Sequence, residues 1–197
     1  MSTTGSRRLV KELRAYLEEV ERREQSGEPG LDVEIEGARE IIHLLNENKA
    51  VLPQRLAVRF LGPAERGLYA GGVWRGHVEV SADYPFSPLR VCVTSALYSF
   101  HGAIPVGEGD RYSPVEIACT GRDGFTPIDT LLSVLDRVWS HVTDPEEEPH
   151  WSNSRMAVFR SDRALYNRQA RLHTLLHATP VCGISLFELL LLSHPPL

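Results

Sequence analysis

The sequence predicts an α+β fold, with an N-terminal helix, a four-stranded antiparallel meander and C-terminal helices. Three observations predict it. An apolar stripe at helical spacing opens the chain. Four segments of period-two alternation follow in succession, without the regular helical crossovers that a parallel sheet needs. Helical periodicity then returns after a long irregular stretch and continues toward the C-terminus.

Each element has its own signal. Over residues 7–24, Leu9, Leu13, Tyr16, Leu17 and Val20 share one face of a helix, while Arg7, Arg8, Lys11, Arg14 and Arg22 lie mostly on the others. Gly27, Pro29 and Gly30 end it. Leu31, Val33 and Ile35 alternate with Asp32, Glu34 and Glu36, the pattern of a half-buried strand. Residues 38–48 carry a helical pattern in Ile41, Leu44 and Leu45, which fits either a helix or an ordered loop. Leu56, Val58 and Phe60 mark a second strand before the turn at 62–67. A third strand is expected around Val78 and Val80, and a fourth from Leu89 to Thr94, with Cys92 opposite Leu89, Val91 and Val93. Cys92 reads as a core residue of that strand. Residues 95–126 are rich in Gly, Ser, Pro and Asp, and a loop of that length inside a domain points to function or disorder. A helix over 130–142 follows, with Thr130 as N-cap and Leu131, Val134, Leu135 and Val138 buried. Two shorter helices fit 153–160 and 161–173, the second capped by Ser161.

Composition narrows the function. The 197 residues are 42% apolar and 24% charged, ordinary for a globular chain large enough to hold a real core. A net charge of −5 argues against nucleic acid as a partner, because phosphate binding needs a basic face. Cys92, Cys119 and Cys182 are odd in number and far apart, which points to a reducing compartment, the cytoplasm or the nucleus. No cofactor is expected: the eight histidines do not cluster at ligand spacing, and there is no nucleotide-binding glycine loop. The N-terminus has no apolar signal region, and the run 184–192 is too short to span a bilayer.

Several words in this order resemble the ubiquitin-conjugating enzyme family. Residues 7–14, RRLVKELR, are similar to its first helix. Gly62-Pro63, Tyr69-Ala70-Gly71-Gly72 and Tyr84-Pro85-Phe86-Ser87-Pro88 resemble its Gly-Pro turn, Tyr-x-Gly-Gly and Tyr-Pro-Phe-x-Pro motifs, in the family's order. Residues 125–145 look like its Trp-Ser-Pro segment and the helix after it, with Phe125 and Thr126 in the Trp and Ser places. Residues 153–171 look like its last two helices. Stretches 22–50 and 99–118 do not match in detail and read as insertions. The resemblance therefore implies a ubiquitin-conjugating-like domain over 1–175 and a tail over 176–197.

The family carries ubiquitin or a ubiquitin-like protein as a thioester on one cysteine, since a thiolate is both a good nucleophile and a good leaving group. By position this would be Cys119, six residues before Phe125. The family's His-Pro-Asn motif, whose Asn stabilises the oxyanion formed when lysine attacks, is missing. His101 falls where that Asn would stand, and an imidazole N–H could donate in its place; a loop histidine without such a role fits equally. Glu148 matches the acidic position that helps accept the incoming lysine's proton, although three adjacent glutamates also suit a solvated turn.

For partners, the resemblance implies ubiquitin or a ubiquitin-like protein, an activating enzyme and a ubiquitin ligase. Arg7, Arg8 and Lys11 match the first-helix face that contacts the activating enzyme. Phe86, Pro127 and Ile128 match apolar loop tips that contact ligases. Two functions follow: a conjugating transferase working through Cys119, or an inactive relative that keeps the fold and only binds ubiquitin or a partner enzyme. The apolar tail is expected to pack on the domain, with a partner or a membrane surface as alternatives.

Overall fold

The computed structural model describes residues 4–47, 52–63, 67–99, 102–103, 115–117, 125–143 and 154–178. In chain order the elements are α1 (Thr4–Ser26), β1 (Val33–Ile35), α2 (Ala38–Asn46), β2 (Arg55–Leu61), β3 (Val73–Glu79), β4 (Arg90–Val93), β5 (Gly102–Ala103), β6 (Val115–Ile117), α3 (Leu131–Thr143), α4 (Ser154–Ser161) and α5 (Arg163–His177). The first four strands form the expected antiparallel meander. The sheet then continues past β4 in the order β1-β2-β3-β4-β6-β5, so the stretch 95–126 is not without regular structure: it adds two short strands.

Alternation places one face of every long strand in the core. Leu56, Val58 and Phe60 of β2, Trp74 and Val78 of β3, and Val91 and Val93 of β4 are buried, with the residues adjacent to them in sequence turned to the other face. The third strand starts earlier than Val78 suggested, at Val73; Val80 lies just beyond it but is buried. Cys92 is only half-buried, on the face opposite Val91 and Val93, which corrects its reading as a core residue. Residues 38–46 are a helix, packed against α1.

The helices cover the inner face. Leu9, Leu13 and Tyr16 of α1 join the core, as do Val134, Leu135, Val138 and Trp139 of α3. Each such side chain contributes ~1.5–3 kcal/mol by leaving water. Trp139 stacks on Phe60 with ring centroids 5.0 Å apart, lies 5.2 Å from Trp74, and donates its Nε1–H to the Leu61 carbonyl at 2.8 Å. Thr130 caps α3 as expected, its Oγ1 accepting from the Ser133 amide at 3.2 Å. The cap of α5 differs: Asp162 accepts from the Leu165 amide at 2.8 Å, while the Ser161 hydroxyl turns back to the Ala157 carbonyl and ends α4. At the edge of the sheet, the Asp32 carbonyl and the Glu36 amide bond to β2, so the Ile35 amide faces away from it and donates to the Tyr16 hydroxyl at 3.0 Å.

Candidate functional site

Two of the sequence's motif words lock together at one end of the sheet. The Gly62 amide donates to the Gly72 carbonyl at 2.8 Å, and the Gly72 amide to the Tyr69 carbonyl at 3.1 Å. A Cβ on Gly62 would lie 1.7 Å from the Tyr69 oxygen, so no larger residue fits, and Gly71 sits at φ +69°, which glycine adopts without strain. This closure fixes Tyr69, which is buried and donates its hydroxyl to the Tyr98 carbonyl at 2.8 Å. Burial holds the Tyr69 phenol well above its ordinary range, so it stays a donor.

The third word, Tyr84-Pro85-Phe86, builds a rigid tip. The peptide Tyr84–Pro85 is cis, and the Phe86 amide closes a turn onto the Asp83 carbonyl at 2.8 Å. Tyr84 is buried, while Phe86 projects with 74% of its surface exposed. A second tip forms at 126–129. The Thr126 amide and hydroxyl both donate to Asp129 Oδ2, at 2.6 and 3.1 Å, and Arg137 donates to Asp129 Oδ1 at 2.7 Å. The Thr126 amide, with Arg137, holds the Asp129 carboxyl below its usual range. Pro127 and Ile128 therefore protrude from a pinned turn, Ile128 being 83% exposed.

Glu12 joins the two tips to α1. Its carboxylate is buried, and accepts from the Arg8 guanidinium, from the Tyr84 hydroxyl, and from the Leu131 amide at 3.1 Å. Arg8 also reaches the Ile128 and Asp129 carbonyls at 3.5 and 3.4 Å. Three chain segments far apart in sequence thus meet on one acid. The sequence reading missed Glu12, though a signal was present: it lies three residues after Leu9 and four before Tyr16, on the stripe that α1 buries. The structure therefore brings Arg8, Phe86, Pro127 and Ile128 around one hub, with Arg7 and Lys11 exposed on α1 beside it. An exposed aromatic and an exposed isoleucine on rigid loops, next to basic side chains, form a surface suited to a protein partner.

The three candidate catalytic residues, Cys119, His101 and Glu148, lie outside the described residues, as does Cys182. What is described is the approach: β6 ends at Ile117, and the segment after β4 is described through Ser99.

Comparison with known proteins agrees with this architecture. The chain is 26% identical over 129 residues to Ubiquitin conjugating enzyme E2 B of Dictyostelium discoideum, covering 66% of this chain and 78% of the relative. It is 27% identical over 111 residues to Ubiquitin-conjugating enzyme E2 14 of Schizosaccharomyces pombe, covering 56% and 66%. A crystal structure from Plasmodium yoelii, assigned as a ubiquitin conjugating enzyme, superposes with a TM-score of 0.61 over 91% of this chain and 99% of that one; at 18% identity it speaks for the fold. The sequence model of the family described as "Ubiquitin-conjugating enzyme" matches residues 38–174, so the chain belongs to the ubiquitin-conjugating enzyme family.

Proposed function

We propose that this protein is an active conjugating enzyme that carries ubiquitin or a ubiquitin-like protein on Cys119. The observation that carries the reading is the family match over residues 38–174, which contains two of the three cysteines. Of these, Cys92 is held in the β4 ladder opposite His77 and Glu116. Cys119 follows the end of β6 by two positions in the sequence. In the first step the Cys119 thiolate attacks the activating enzyme's thioester, a new C–S bond forms, and the activating enzyme's thiolate leaves. In the second, a lysine amine or a ligase cysteine attacks the same carbonyl and the Cys119 thiolate departs. His101 would donate to the transient oxyanion, and Glu148 would accept the lysine's proton. Arg7, Arg8 and Lys11 would meet the activating enzyme, and Phe86, Pro127 and Ile128 a ligase. Residues 1–175 would form the conjugating domain, with 176–197 an appended tail. The scattered cysteines favour work in the cytoplasm or nucleus.

The absence of a His-Pro-Asn motif supports a second reading, a module that binds ubiquitin or a partner enzyme without chemistry. A charging assay separates the two. Purified protein, an activating enzyme, ATP and a panel of modifiers are run on a non-reducing gel, beside the variant Cys119→Ala. A thiol-sensitive adduct lost in that variant supports the enzyme. No adduct with any modifier, together with retained ubiquitin or ligase binding, would leave the binding module.

A further inference from the structure

Residues 96–99 follow β4 and belong to no strand, so no ladder takes up their carbonyl groups. Four successive carbonyl oxygens are instead each held by a side chain. Ala96 accepts from Trp74 Nε1 at 3.1 Å, and Tyr98 from the Tyr69 hydroxyl at 2.8 Å. Leu97 and Ser99 accept from one nitrogen, Arg155 Nη1, at 3.2 and 3.1 Å. The same guanidinium lies 4.6 Å from the centroid of the Tyr98 ring, whose hydroxyl donates to Gln169. Leu97 and Ser99 are themselves buried, at 5% and 2% exposure.

Any buried carbonyl needs a partner, but this arrangement does more than satisfy. One planar cation bridges alternate carbonyls and fixes two peptide planes relative to each other, while the Tyr98 ring between them is held against it. The chain then needs only two more residues to reach position 101. A donor misplaced by ~1 Å can cost ~10²-fold in rate, so the direction in which the segment leaves Ser99 matters to transfer chemistry.

We infer that Arg155 is a positioning residue for the transfer step, its grip on the Leu97 and Ser99 carbonyls fixing residues 96–99, which end two positions before 101 in the sequence. The inference rests on the proposed enzymatic function. It separates the two half-reactions: charging needs the Cys119 thiolate, whereas discharge to an amine also needs an oriented oxyanion donor. Lysine at position 155 keeps the charge but lacks the rigid fork, so it should restore part of the effect.

The test compares wild type, Arg155→Met, Arg155→Lys and Leu45→Ala, the last a core change on α2 chosen to lower Tm. Each full-length protein is charged with whichever modifier loads the wild type, then discharged to free lysine. Discharge at least ~10-fold slower in Arg155→Met, intermediate in Arg155→Lys and unchanged in Leu45→Ala, with charging within about twofold throughout, is the expected result. Equal slowing of both steps, or the same slowing in Leu45→Ala, would mean that Arg155 only stabilises the fold, and would overturn the inference. If Arg155→Met does not fold, Arg155→Lys decides alone: wild-type discharge overturns the inference. A wild type that discharges no differently from the Arg155 variants sinks the inference while the enzyme reading stands; a wild type that loads no modifier sinks both.

Discussion

Removing the Glu12 carboxylate would strand two buried donors and take the charge partner from a third. Glu12→Ala leaves the Tyr84 hydroxyl and the Leu131 amide without their acceptor and Arg8 with only the Ile128 and Asp129 carbonyls. A loss of about 3 kcal/mol is expected in urea unfolding, because buried donors left unpaired cost more than the bond itself contributed. Glu12→Gln keeps an acceptor and should lose about half as much. His173 offers a test by pH. Burial, reinforced by His177 and Arg155, pushes its imidazole down to about 4, against ~6.5 in the unfolded chain. Between those values the unfolded state binds the extra proton, so the stability His173 contributes is present above ~6.5 and lost as pH falls toward 4. The slope from this group is at most about 1.4 kcal/mol per pH unit, and His173→Gln should flatten it in unfolding curves taken across that window. Residues such as Glu12 and Arg155 were hard to read from sequence because their importance lies in partners 72 and 119 positions away in one case and 58 and 56 in the other. Phe86 and Ile128 were legible because short motif words carry them.

Helix α5 shows how one residue decides a boundary. Asp162→Ala should cost about 1 kcal/mol, read as a lower urea midpoint, whereas Ser161→Ala should cost only a few tenths, since its hydroxyl serves the end of α4. Ser161 and Asp162 are both good capping residues, and nothing in their order tells which starts the new helix. The long amphipathic α1 and α3, and strands β2 and β4, were readable because burial imposes a period on the sequence. The two strands β5 and β6 were not, being only two and three residues long and fixed by pairing to β4 and to each other. Local pattern cannot announce a strand whose existence depends on a neighbour. Helix α2 was ambiguous for the related reason that its nine residues make barely more than two turns.

For the molecule as a whole, the expected consequence of the hub is that docking and stability separate. Phe86→Ala and Ile128→Ala remove side chains that are mostly in water, and should change unfolding free energy by no more than about 0.5 kcal/mol. In the proposed function they should nonetheless lower ligase-stimulated discharge by about tenfold or more while leaving charging intact, as measured on the same gel assay. The family's sheet was legible here because Gly62 and Gly71 are demanded by the backbone and Gly72 by the Trp74 ring packed against it, rather than by chemistry. The bond from Ile35 to Tyr16 carries a last consequence. β1 is the outer strand of the described sheet on its side, and an outer strand is a template on which a second chain can grow. One of its outward amides, that of Ile35, is already spent on a tyrosine from the neighbouring helix, so α1 blunts that margin as a template. Tyr16→Phe would keep the buried ring yet free the Ile35 amide, and should raise concentration-dependent self-association, as read by light scattering.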